Sequence, residues 1–187
     1  ESWLEVLRAA IKEGNAQLKR GSKSFGILAN LPSKPLEARL NSIREGGTLT
    51  KYNKADGRSK LRFVCVVRSP VGYKICWGDQ KTRECKSDAK LADATALLQG
   101  AKSSNFFKRQ NAKTDQDWQC FSIVFKERTL DFAATTAEQI LDWYLALASL
   151  IPQSTEPLLD EQALRQRMEV SGLGAEAVAG PSSPVKR

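Results

Sequence analysis

The chain has 187 residues, 41% of them hydrophobic, enough for one core of ordinary domain size with residues left over for extensions. Lys and Arg outnumber Asp and Glu by 29 to 21, giving a formal net charge of +8 that suits an anionic partner: nucleic acid, anionic lipid or an acidic protein surface. Histidine is absent and the four cysteines, at 65, 76, 85 and 120, form no C-x-x-C pair, so a Cys/His zinc site has no ligand set and nucleophilic triads lose their usual base.

No apolar run approaches the ~20 residues that span a bilayer, and the start lacks the basic-then-apolar order of a signal peptide. A soluble, cytoplasmic module with reduced thiols is expected. The opening at Glu1, with Met168 the only methionine, leads us to expect a piece of a longer protein.

In chain order, Ser2 and Glu5 fit a capping box, and Leu4, Leu7, Ile11 and Leu18 recur at near-helical spacing, predicting a helix over 3–20. Residues 21–34 carry turn formers and read as a linker. Pro35 suits a helix start, with Leu36, Leu40 and Ile43 as its apolar stripe and Gly46 and Gly47 as its end. Thr48 to Phe63 then reads as a basic hairpin. Lys60 and Arg62 share one face of its second strand, Lys51 approaches from the first, and Lys54 and Arg58 sit near the turn. Five cations against Asp56 alone call for an anion, although charge by itself fits a solvated edge that resists aggregation equally well.

Beyond the hairpin the period shortens. Leu61 to Val67 and Tyr73 to Trp77 are branched, strand-like runs separated by a turn at Gly72. Residues 81–100 are ambiguous between strands and a helical turn with a strand, and 101–118 read as a polar loop with Phe106 and Phe107 as an anchor. CFSIVFK at 120–126 predicts a strand with Phe121, Ile123 and Phe125 on one face and Cys120, Ser122 and Val124 on the other. It pairs with TLDF after a turn. Thr136 and Gln139 offer a second capping box. Ile140, Trp143, Tyr144, Leu147, Leu150 and Ile151 make a broad stripe that reads as a core seal centred on Trp143. A weaker helix from Pro157 to Met168 follows, and 171–187 has the composition of a disordered tail.

Seven short strands closed by one amphipathic helix, with a basic first hairpin, is an order that resembles a pleckstrin-homology domain over roughly residues 37–152. Lys51 followed by Lys60-Leu61-Arg62-Phe63 looks like that family's phosphoinositide signature. CFSIVFK, TLD at 129–131, Trp143 and Lys74-Ile75-Cys76-Trp77 resemble its phospholipase C delta type. Leu36 to Phe63 is similar also to the module of plant proteins that add chromosome-condensation-regulator repeats and a FYVE finger. The resemblance implies a mainly β (α+β) fold: a barrel or sandwich of seven antiparallel strands in two nearly orthogonal sheets, capped by the C-terminal helix and preceded by a helical extension. The implied organisation is 1–34 helix and linker, 35–152 domain, 153–170 short helix and 171–187 tail.

It further implies a head-group pocket in which Lys51, Lys60 and Arg62 hold inositol phosphates and Lys54, Arg58 and Lys81 are outer contacts. Asn53 stands where the tightest binders place a second lysine. The expected function is non-catalytic recruitment of the parent protein to phosphoinositide-containing or otherwise anionic membrane, without a cofactor or metal. The alternative is a protein-interaction module that docks through the N-terminal helix. Nucleic acid is disfavoured because few aromatics interleave the basic residues.

Overall fold

A computed structural model describes residues 28, 30–53, 58–103, 116–151 and 153–173. The expected helix over 3–20, Lys54, the Phe106–Phe107 anchor and residues 174–187 lie outside the described residues.

Helix α1 (Leu36–Glu45) starts behind Pro35, whose missing N–H costs nothing at a helix entrance. It stops at Gly46, held at φ 79°, where a Cβ would fall 2.6 Å from the Val64 carbonyl. Seven antiparallel strands follow: β1 (Gly47–Tyr52), β2 (Ser59–Ser69), β3 (Gly72–Gly78), β4 (Cys85–Lys90), β5 (Ala94–Gln99), β6 (Cys120–Phe125) and β7 (Thr129–Ala133). A 3-10 turn at Leu91–Asp93 joins β4 to β5, which resolves the ambiguous stretch 81–100 as two strands and a short turn. The strands hydrogen-bond in the order β4-β3-β2-β1-β7-β6-β5, one sheet that is open, with β4 and β5 at its edges. β1 is the hinge of this arrangement, paired with β2 along its whole length and with β7 at Thr50–Tyr52.

Helix α2 (Ala137–Leu150) closes one side of the sheet. Its N-cap Thr136 accepts from the Gln139 N–H, as the capping box predicts, while the Gln139 side chain bonds the Thr135 N–H and the Thr48 carbonyl instead of the cap itself. Trp143 is buried and stacks at 6.5 Å on Phe121, which stacks on Phe132 at 5.5 Å. The core seal expected of Trp143 is therefore present.

Both faces of β6 are covered over much of its length, in contrast to the half-exposed strand an alternating pattern suggests. Phe121 and Ile123 enter the main core. Cys120 packs with Tyr52 and Ala133 in a second cluster, and buried Ser122 donates to Asp131 at 2.7 Å.

Helix α1 keeps Leu40 and Ile43 of its expected stripe against the core, but Leu36 remains 47% exposed and Arg39 is 2% exposed. Carboxylates explain the buried guanidinium: Arg39 donates to Asp142 of α2 at 3.0 Å, to Glu161 at 2.8 Å and to the Lys34 carbonyl at 3.2 Å. Glu161 opens α3 (Glu161–Met168), which begins four residues later than expected because the Asp160 side chain, not Pro157, caps it.

The core does not stop at residues 35 and 152. Leu28, Leu164 and Met168 belong to it, and Arg165 donates to the Leu28 and Leu31 carbonyls, so these two residues of the stretch expected to be a linker are docked. Of the tail expected from residue 171, the described residues 171–173 belong to a wide helical turn, Glu169–Leu173, with Gly172 at φ 110°.

Candidate functional site: a cationic cavity at the β1–β2 edge

The register of β1 on β2 places Lys51 directly opposite Lys60, and Leu49 opposite Arg62. Alternation then decides where these cations face. On β2, Lys60 and Arg62 lie on the side that buries Val64 and Val66 further along. On β1, Lys51 shares the side of buried Leu49 and stands beside Phe132 of β7. The core face of the sheet thus turns cationic where its apolar residues end.

A cavity of about 420 Å³ occupies that rim, lined by Lys51, Asn53, Arg58, Lys60, Arg62 and Lys86, with Trp77 as its apolar wall. Gly78, Asp79 and Ser87 complete the lining.

Lys51 is half-buried. Its ammonium lies 5.4 Å from the Trp77 ring centroid and donates to the Tyr52 carbonyl at 3.4 Å. Burial lowers its pKa; Asp131 resists that, while Arg128 and Arg62 add to it. Arg128 covers the same indole at 5.6 Å, so Trp77 meets two cations. Asp131 is itself buried, held by Ser122 and by Thr129 at 2.8 Å, a placement that fixes its charge one residue from Lys51 across β7.

At the far wall, Asp79 organises the β3–β4 turn. Its carboxylate accepts from the Lys81 and Thr82 N–H groups at 2.8 and 3.1 Å. These bonds, that from Thr82 foremost, hold its pKa below the usual carboxylate value.

Four of the six residues expected at the pocket line this cavity: Lys51, Arg58, Lys60 and Arg62. Lys54 is outside the described residues. Lys81 is exposed within the Asp79-organised turn and is not among the lining residues. Lys86, five residues on, lines the wall. Sequence reading missed Lys86 because KTRECKSDAK offers three lysines and an arginine with no visible register. Only the shift at Trp77/Gly78, which sets Cys85 opposite Gly78 and Ser87 opposite Trp77, decides which of them faces inward. Trp77 was legible as a strand residue, but not as the cavity's wall.

Among the described residues, no group of three or more His, Cys, Asp or Glu side chains is placed to hold a metal ion, and no helix is long and apolar enough to cross a membrane. The chemistry the cavity offers is electrostatic: several hydrogen-bond donors carrying positive charge, converging on a half-apolar recess.

No family model and no curated protein matches the chain. Among solved structures it is similar to the C-terminal PH domain of human pleckstrin, at 16% identity over 60% of this chain and 91% of that one, with a TM-score of 0.45. It is similar also to Inner Membrane Complex sub-compartment protein 3 of Toxoplasma gondii, at 14% identity over 65% and 86%, TM-score 0.45. PLC21 of S. officinalis matches at 12% identity, covering 64% of this chain but 16% of that one, TM-score 0.44. Likenesses this distant say nothing of what the chain binds. The strand order, the antiparallel registers and the helix sealed by Trp143 make this a pleckstrin-homology-like α+β fold.

Proposed function

We propose that the chain is a non-catalytic module that binds the phosphorylated head group of a phosphoinositide through the β1–β2 cavity and so holds its parent protein at an anionic, cytoplasmic membrane surface. The observation that carries this reading is the opposition of Lys51 and Lys60 with Arg62 alongside. Like charges directly across a strand pair destabilise a sheet, so the arrangement is unfavourable until an anion sits among them. Phosphate oxygens accept charge-assisted hydrogen bonds, Arg62 and Arg58 can supply bidentate forks, and the lysines add mobile point charges. The order Lys51, then Lys60-Leu61-Arg62-Phe63, also supports placing the module with the phospholipase C delta type or its plant counterpart.

The test is vesicle pelleting with phosphoinositide-containing and phosphoinositide-free anionic vesicles at matched charge. Arg62→Ala is expected to weaken binding about tenfold or more, since a hydrogen bond to a charged group contributes on the order of 1.5 to 3 kcal/mol. Arg68→Ala and Lys90→Ala, exposed at the other end of the strands, are expected to change little. A soluble inositol polyphosphate should compete. Equal losses from both sets of variants, with no competition, would leave only nonspecific surface charge.

A further inference from the structure

Three of the four cysteines stand on neighbouring strands, Cys65 on β2, Cys76 on β3 and Cys85 at the start of β4, and all are free thiols. Strands two apart in a sheet are separated by roughly 9.5 Å. The Cys65 and Cys85 sulfurs are nevertheless 3.7 Å apart. Gly78 makes this possible. It lies on β3 between Phe63 of β2 and Cys85 of β4, and the register shift at Trp77/Gly78 brings the β4 chain over it. A Cβ at Gly78 would sit 1.7 Å from the Glu84 carbonyl oxygen, so only the missing side chain lets Cys85 lean across β3.

The residue after Cys85 is Lys86, the extra residue of the register shift, which with Ser87 lines the cationic cavity.

We infer that Cys65 and Cys85 form a reversible disulfide that regulates the cavity, driven by a hydroperoxide and undone by a dithiol reductant. The inference rests on the head-group reading of that cavity. Exposed Cys85 reacts first, its sulfur taking the terminal oxygen of hydrogen peroxide to give a sulfenic acid and one water. The Cys65 sulfur then attacks the Cys85 sulfur, the S–O bond breaks, and the departing hydroxide leaves as a second water with the Cys65 proton. Two thiols are oxidised and one peroxide is reduced to two waters.

Burial and the neighbouring Cys85 thiol push the Cys65 pKa up to about 12, which keeps the buried partner protonated and leaves the first step to Cys85. Closing the gap to a bond of about 2.05 Å draws Cys85 further across the outer face of Gly78. Lys86, next in the chain, is thereby rocked away from Lys60 and Arg62.

The experiment treats the full chain with hydrogen peroxide, then maps its peptides and titrates reduced and oxidised protein with a soluble inositol polyphosphate. A Cys65–Cys85 linked peptide is expected, lighter by two hydrogens, with Cys76 and Cys120 still alkylatable. The oxidised protein should bind about tenfold more weakly, the loss of one charge-assisted contact, and dithiothreitol should restore it. Cys85→Ser should bind as the reduced protein does and ignore peroxide. A different pairing, oxidation of Cys85 without a cross-link, or equal affinity in both redox states would overturn the switch. If the reduced protein bound no inositol phosphate, the cavity reading would fall by itself. The cross-link would then be judged by its peptide map and by slowed amide exchange across Ser87–Lys90.

Discussion

Replacing Arg39 probes the least expected feature of this fold, a buried guanidinium that holds three helices together. It is 2% exposed and donates to Asp142, itself 4% exposed, to Glu161 and to the Lys34 carbonyl, so it ties α1 to α2, α3 and the segment before α1. Arg39→Met keeps much of the apolar stem but leaves Asp142 buried with a reduced set of partners. Breaking a buried pair in this way typically costs about 3–5 kcal/mol. Asp142 retains Lys34 at 2.9 Å and Ser42 at 3.3 Å, which argues for the lower end of that range. At about 2–4 °C per kcal/mol for a chain of this size, roughly 3 kcal/mol lowers Tm by ~6–12 °C. The double variant Arg39→Met/Asp142→Leu removes both charges, and such apolar replacements are often neutral, so it should recover most of the loss. Calorimetric melting of wild type, both single variants and the double variant gives the coupling directly. A single variant within ~0.5 kcal/mol of wild type, the usual size of a surface substitution, would mean that Arg39 is solvated in solution. A double variant worse than either single one would mean that the network contributes more than its own desolvation costs.

Trp143→Ala should cost ~3–5 kcal/mol, as expected for a truncated core aromatic, and chemical denaturation would show it as a lowered midpoint with unchanged slope. Burial favours the neutral form of Glu161, but hydrogen bonds from Arg165 and Ser33 and the charges of Arg39 and Arg165 outweigh it and hold the carboxyl below its usual 4.5. A lowered carboxylate pKa means stability that is present above pH 4.5 and lost as pH falls through the folded value. Glu161→Gln should therefore flatten the acid limb of a Tm-against-pH curve, and an unchanged limb would contradict the assignment. Gly78→Ala must displace the Glu84 carbonyl. Altered amide shifts confined to β3, β4 and their turn should accompany a loss of ~1–3 kcal/mol. Lys51 carries a pKa lowered chiefly by burial, and a bound anion would raise it again. Binding just below pH 10.5 should then take up protons, detectable by calorimetry in buffers of different ionisation enthalpy.

The features legible in the sequence are those set by short-range pattern. The branched residues of Leu61–Val67, the alternation in CFSIVF, the glycine pair after α1 and the Thr136–Gln139 cap each act within a few residues, and each element lies where its pattern puts it. Lys51, Lys60 and Arg62 were legible for the same reason: a hairpin with a strict period fixes both register and face. What escaped depends on long-range partners. Arg39 reads as a solvent residue until Asp142 and Glu161, more than a hundred positions away, supply its counter-charges. Lys86 and Lys81 look equivalent in sequence, and a one-residue register shift beside Gly78 separates them. The docking of Leu28 and of α3 escaped because neither has an apolar face broad enough to announce itself; both join the core cluster, and Arg165 of α3 donates to the Leu28 carbonyl.

The two charge clusters show opposite solutions to the same electrostatic problem. Between α1, α2 and α3 the cations Lys34, Arg39 and Arg165 meet Glu138, Asp142 and Glu161 at 2.6 to 3.0 Å, and every buried charge there has a counter-charge from another element or from one turn away. At the β1–β2 edge the cavity is lined by Lys51, Arg58, Lys60, Arg62 and Lys86, and Asp79 is the one carboxylate among the described residues that line it. That carboxylate accepts two backbone N–H groups of its own turn. A fold selected for stability alone would treat both places alike, because leaving like charges opposed across a strand pair forgoes up to ~1 kcal/mol per pair. The helix cluster is satisfied from within, whereas under the proposed head-group reading an anion from outside would complete the cavity.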